Sequence, residues 1–134
     1  MSWNLKLNDK QASVVSRALD IYSRLLMGQI DNVLHEFPSL SYDERRHLHK
    51  IVRQYVFSEL DESAYYGICS EQTDEKAKVA WDVQQVIRQA LSWDSLGKDP
   101  KKDRRDWSEM MGVSFDDPFV TSQEPLAEIE KVEE

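Results

Sequence analysis

NDKQASVVSRALDIYSRLLMGQIDNVLHEF, residues 8–37, decides the fold class. Asn8 offers a side-chain acceptor for the first free helix N–H groups. Gln11 stands three residues on, the spacing at which each of the two side chains meets the other residue's backbone N–H. From there Val15, Ala18, Leu19, Tyr22, Leu25, Leu26, Ile30, Val33 and Leu34 recur at steps of three and four. That period puts them on one side of a helix. The spacing predicts a single long first helix that runs until Pro38 stops it. Gly28 falls in its middle, where glycine costs about 1 kcal/mol relative to alanine. It predicts either close approach of another helix or a slight kink. Gln29 lies on the apolar stripe and predicts a buried hydrogen bond. Arg17, Asp20, Arg24 and Asp31 lie on the other side, at spacings that allow ordinary surface ion pairs.

Two further helices follow by the same logic. Ser41 and Glu44 form a second capping box, and Leu48, Ile51, Val52, Tyr55 and Val56 mark the face expected in the core. Phe57 and Leu60 lie off that stripe. Thr73 reads as the cap of a third helix, with Asp74 and Glu75 at the positive end of its dipole. Val79, Ala80, Val83, Val86, Ile87, Ala90 and Trp93 form the third helix's stripe, and Gly97 with Pro100 ends it. Residues 61–72 have no period and read as a packed loop with Tyr65, Tyr66 and Ile68 tucked inward. Trp3, Leu5 and Leu7 alternate with polar residues as a strand would, and Val113 and Phe115 do so briefly. The expected architecture is therefore all-α: a three-helix core with a long first helix, edged by one short two-stranded β pair.

Composition agrees with one such domain. The chain has 134 residues, 40% of them hydrophobic, enough to bury one core. Four glycines and four prolines are few for a turn-rich β-sandwich. Cys69 is the only cysteine, so no intrachain disulfide can form. No apolar run approaches the length of a membrane span. The N-terminus lacks the apolar centre of a signal peptide, and a cytoplasmic protein is expected. Charge is unevenly placed. Residues 1–96 carry 11 basic and 14 acidic side chains, residues 97–105 five basic and two acidic, and residues 106–134 one basic and nine acidic. The net of −8 is thus the net charge of the last 29 residues alone. The chain divides into a helical domain over 1–120 and an acidic tail over 121–134 with too little apolar surface to fold. Overall acidity argues against general nucleic-acid binding.

Four acids are candidates for a hard metal ion: Glu59 with Glu62, and Glu71 with Asp74, each pair three residues apart. On facing helices such pairs would suit a metal-dependent all-α nucleotide pyrophosphohydrolase. Their ordinary roles are also plain, since Glu71 and Asp74 lie where dipole acids belong and Glu59–Glu62 straddle a helix end. His47 and His49 are two apart, on opposite sides of a helix, and cannot grip one metal. No P-loop or dinucleotide glycine pattern is present. Cys69 has no nearby histidine to activate it. The loop KDPKKDRRDW, residues 98–107, could contact phosphates with Trp107 stacked on a base, but its three aspartates weaken that and favour a solvated loop or one folded against the acidic tail. No cofactor is expected.

Interface chemistry is the strongest functional signal. On the third predicted helix Trp81 falls opposite the apolar stripe, beside Gln84, Gln85 and Arg88, an aromatic–arginine cluster of the kind that anchors interfaces. Its cover is either residues 107–119 of the chain itself or a second copy in a symmetric homodimer. On the first helix Arg24 stands beside Gly28, where the missing side chain permits close contact. Trp81, Gln85, Arg88, Arg24 and Gly28 are accordingly the expected partner-binding residues.

Tyr22-Ser-Arg-x-x-Met-Gly-Gln29 on a long first helix, with Asp82-x-x-x-Val86-Ile-Arg88 on a later one, resembles a group of small uncharacterised accessory proteins of tailed bacteriophages. The resemblance covers residues 5–37 and 79–96. It implies a phage-type accessory protein that works in the host cytoplasm, and it brings no catalytic residues. The expectation is a non-enzymatic protein that binds a host or phage protein, as an inhibitor or host-takeover factor.

Overall fold

A computed structural model describes residues 1–133. It contains α1 (Asp9–Leu26), α2 (Ile30–Leu34), α3 (Tyr42–Tyr55), α4 (Glu75–Asp94) and a 3₁₀ turn at Val113–Phe115. The fold is all-α, and no strand occurs among the described residues. The β pair expected at the edge is absent from them because neither half finds a ladder. Trp3 and Leu5 stand exposed, and Val113–Phe115 coils so that Phe115 can lend its carbonyl to Trp93.

The first capping box forms in both directions. Gln11 N–H donates to Asn8 Oδ1 at 2.9 Å and Asn8 N–H to Gln11 Oε1 at 3.0 Å. The long first helix, however, is two. Gly28 has φ +88°, left-handed backbone that only glycine adopts without strain. Gln29 N–H returns to the Arg24 carbonyl at 2.9 Å and Gly28 N–H to that of Leu25 at 3.2 Å, the paired bonds of a Schellman cap. A Cβ on residue 28 would also lie 3.2 Å from the Phe57 ring. Gly28 is thus the end of α1, and the five residues of α2 restart at a new angle. Gln29, expected to be buried on the stripe, is half-buried and holds Arg24 and Asn32 through its Oε1.

α1 packs along α4, and the contact is close because the facing residues are small. Ser23, Ala77 and Ala80 are buried, and Ser23 Oγ donates to the Ala77 carbonyl at 2.9 Å. Met27, Ile30, Val86, Ile87, Trp93 and Met110 complete the buried apolar set. α4 is capped by Asp74, which accepts from Lys76 N–H at 2.8 Å. Thr73, the expected cap, instead turns inward and donates to the Gly67 carbonyl.

α3 is rotated from its expected face, with Leu48 and Val52 of that face half-buried. Its capping box forms between Ser41 and Glu44, but the buried residues are His49 and Arg53, while Ile51, Val56 and Tyr55 (84%) are exposed. The reason is the loop it carries. His49 Nδ1 accepts from Asp31 N–H at 3.2 Å, and Nε2 pairs with the Glu62 carbonyl at 2.8 Å. Arg53 donates to the carbonyls of Gly28, Asp61 and Glu62. Irregular backbone must find partners when water is excluded, and these two side chains supply them. In the 61–72 loop Tyr66 and Ile68 are half-buried, Tyr66 meeting Phe57 edge-on at 5.9 Å, whereas Tyr65 is exposed.

Candidate protein-interaction surface

Past the 3₁₀ turn the chain doubles back along α4 as an extended strap. Its attachment is a ladder of α4 side chains bonded mainly to strap backbone. Trp93 Nε1–H donates to the Phe115 carbonyl at 3.0 Å. Gln89 Nε2–H donates to Asp117 Oδ1 at 2.9 Å. Gln85 grips Phe119 twice, donating to its carbonyl at 2.9 Å and accepting its N–H at 3.2 Å. Asp82 accepts from Thr121 N–H, Thr121 Oγ1–H and Ser122 N–H. Residues 82, 85, 89 and 93 share one side of a helix. Their strap partners fall at 121–122, 119, 117 and 115, so the strap runs antiparallel to α4 with about two strap residues per helical turn, as the 3.3 Å and 1.5 Å rises require.

The attachment continues past residue 120, the expected edge of the domain. Ser122 is buried, Gln123 N–H donates to Glu75 at 2.6 Å, and Lys131 pairs with Asp94 at 2.5 Å. The basic loop folds onto the same segment. Lys101 donates to the Ile129 carbonyl, and Arg105 holds the Met110 carbonyl and Asp116 while lying 3.7 Å above the Trp107 ring. Asp94 beside Lys131 raises its ammonium pKa above the ordinary value.

Apolar side chains stand exposed on the strap and on the loop that leads into it. Trp107 (64% exposed), Met111, Val113, Phe119 and Val120 all present their side chains to solvent. Asp116, Asp117 and Glu124 are exposed among them. Phe119 and Val120 stand exposed on backbone that Gln85 and Asp82 hold in place, which suits protein contact because little chain entropy remains to be lost on binding.

The five expected partner residues fare differently. Gln85 is 3% exposed beneath Phe119, and Gly28 is buried beneath Phe57, so the chain itself encloses both. Trp81 and Arg88 are half-buried together, the guanidinium 5.6 Å from the ring centroid. Arg24 is tied to Asp20 at 3.1 Å and to Gln29 at 2.6 Å. The chain's own C-terminal segment covers Gln85, while Arg88 and Gln84 face Ser13, Ser16, Arg17 and Asp20 of α1. Sequence reasoning missed the ladder residues Asp82, Gln89 and Trp93 as a set. Their signal was present as polar side chains at steps of three and four beside a tryptophan.

The four candidate metal acids are dispersed. Glu59 accepts from the Tyr66 hydroxyl at 2.8 Å, Glu62 pairs with Arg46 at 3.3 Å, Asp74 caps α4, and Glu71 lies in an exposed turn. The carboxyl of Glu59 titrates below the ordinary value, held there first by its own backbone N–H and then by Tyr66. Among the described residues no group of three or more His, Cys, Asp or Glu side chains could hold a metal ion. Among the described residues no helix is long and apolar enough to cross a membrane. Comparison with protein-family models, with curated proteins and with solved structures finds no match to this chain.

Proposed function

We propose that the chain is a non-enzymatic, phage-type accessory protein that binds a host or phage protein through the outer side of its strap. One observation carries this reading: the accessible surface. It is 9636 Å², whereas a compact monomer of this mass exposes about 7,300 Å². The excess of about 2,300 Å² marks a chain that leaves many large apolar side chains uncovered, Trp107, Phe119 and Val120 among them. Trp107, Met111, Val113, Phe119 and Val120 are the residue types that anchor interfaces, and the carboxylates around them select a basic partner surface. Occupation of a site that otherwise receives nucleic-acid phosphates is one use of such a surface.

The test is capture from host cells with the wild-type chain and with a Trp107→Ala/Phe119→Ala/Val120→Ala variant of unchanged circular dichroism. A host or phage protein held by the former, lost by the latter, and released at moderate salt is the expected result. Equal capture by both, or none by either, would overturn the proposal.

A further inference from the structure

α1 and α4 run antiparallel, and their contact changes character along its length. At one end Ser23, Ala77 and Ala80 are buried where the helices meet directly, Ser23 Oγ donating to the Ala77 carbonyl. At the other end, from Asp20 back to Ser13 on α1 and from Gln84 on to Ser92 on α4, the helices leave a cavity of about 330 Å³ between them. That volume falls at the lower end of the range of small-molecule sites, about 300–1,000 Å³. Leu91 is the one apolar side chain among the described residues that line it.

Hydrogen bonding beside this cavity is incomplete. Gln84 is 6% exposed, yet its Oε1 is buried with no partner, and Nε of the half-buried Arg88 is in the same state. Trp81 Nε1, on the same side of α4, also lacks an acceptor. Three other such atoms occur among the described residues, and two of them, Asp31 Oδ1 and Arg45 Nε, lie 3.9 Å from each other. Missing partners are thus concentrated on one stripe of α4, whereas buried polar groups as a rule are hydrogen-bonded. The charges point the same way. Arg17 is paired with Asp20 and Glu36, and Asp20 also holds Arg24. Arg88 has the Trp81 ring at 5.6 Å and, among the described residues, no carboxylate. The hydroxyls of Ser13, Ser16 and Ser92 likewise have no partner among them.

We infer that this cavity binds the phosphate monoester of a small sugar or polyol. The phosphate accepts from Arg88, whose planar guanidinium matches two phosphate oxygens, and from the serine hydroxyls. A sugar hydroxyl donates to Gln84 Oε1, which no group of the chain serves. The surplus of donors selects an oxyanion, and the unmet acceptor selects one that carries hydroxyls over inorganic phosphate. Both Gln84 Oε1 and Arg88 Nε are shielded from solvent, so binding turns these side chains toward the cavity and draws Arg88 off the Trp81 ring. No strap residue lines the cavity among the described residues, so the inference stands apart from the proposed function.

The experiment is an NMR titration of the ¹⁵N-labelled chain with ribose 5-phosphate, ribose and inorganic phosphate at matched ionic strength. Ribose 5-phosphate is expected to shift the Arg88 Nε–H, Gln84 side-chain amide and Trp81 indole N–H signals saturably, at millimolar concentration or below. Inorganic phosphate should bind about tenfold more weakly, and ribose alone should not bind. Arg88→Gln and, separately, Ser13→Asp at an exposed position should each weaken ribose 5-phosphate about tenfold or more with unchanged helix content. Gln84→Met should erase the preference for the sugar phosphate over inorganic phosphate. The Trp107→Ala/Phe119→Ala/Val120→Ala variant should bind as the wild type does, whatever becomes of partner capture. No saturable shift, an affinity that Arg88→Gln and Ser13→Asp both leave in place, or equal affinity for inorganic phosphate would overturn the inference.

Discussion

Asp82 and Arg53 are buried to the same degree, at 2% and 5% exposure, and neither has an opposite charge as its partner. Each is held by backbone. Asp82 accepts from the strap's N–H groups and the Thr121 hydroxyl, while Arg53 donates to carbonyls of Gly28 and the 61–62 loop. The difference lies in how complete the set is. Asp82 uses both oxygens, whereas Nε of Arg53 is buried without a hydrogen-bond partner. The strap end of the molecule is therefore clamped by a satisfied anion, and the α3 end by a partly satisfied cation. An unsatisfied buried donor costs about 1–3 kcal/mol, so Arg53 is the weaker of the two clamps.

Breaking the clamps tests that contrast. Asp82→Ala removes three charge-assisted bonds and orphans two strap N–H groups, so the largest loss is expected, about 3 kcal/mol. Hydrogen exchange should show where it falls, with the amides of Phe119, Thr121 and Ser122 losing protection while those of α1 keep theirs. Uniform loss across the chain would show that the strap and the helices unfold as one unit. Arg53→Met keeps much of the volume and removes the unpaired donor along with the useful bonds. A smaller loss is expected, about 2 kcal/mol in urea unfolding. A loss larger than that of Asp82→Ala would reverse the ranking of the two ends.

Deletion of residues 125–134 sharpens the boundary of the clamp. Within 125–133 only Leu126 and Ile129 are even half-buried, and the polar ties are those of Lys101 to Ile129 and of Lys131 to Asp94. Surface ties of this kind contribute little, so a change below about 1 kcal/mol in thermal or urea unfolding is expected. Deletion from residue 115, which removes every ladder partner, should by contrast expose α4 and bring aggregation. Equal effects would mean that the last residues, and not the ladder, fasten the segment.

What could be read from the chain before its structure follows the range of the interactions. The caps at Asn8–Gln11 and Ser41–Glu44 are local, three residues apart, and both formed. The small and apolar residues of α4 at 80, 86, 87 and 93 went inward as their period required. Gly28 was misplaced because the apolar period continues across it from Leu26 to Ile30, and only its backbone angle reveals the break. Periodicity points the inner face of α3 to Ile51 and Tyr55 because it weighs apolarity alone. What decided it was the need of residues 61–62 for donors, and a side chain's pairing with distant irregular backbone leaves no periodic trace. The same blindness hid the strap ladder. Side-chain type alone marks Trp81, Arg88 and Arg24 as interface chemistry, but Gln85 beside them is spent on Phe119 within the chain.

The smallest expected effect is a pH effect at the α3 end. Glu44 is fully exposed, yet its carboxyl sits below the usual 4.5 because Ser41 donates to it from backbone N–H and favours it through its hydroxyl. Glu59 is lowered as well. A carboxyl whose folded pKa is depressed adds stability above its unfolded value, and that contribution is lost as pH falls through the folded one. The start of α3 should therefore loosen only at a pH under the ordinary carboxylate range. NMR titration of the Glu44 side chain should give a midpoint under 4.5, and Ser41→Ala should return it toward that value while raising exchange of the first-turn amides of α3. A midpoint that Ser41→Ala leaves in place would mean that the capping box does not hold the carboxylate, and that the start of α3 depends on its packing against α2 instead.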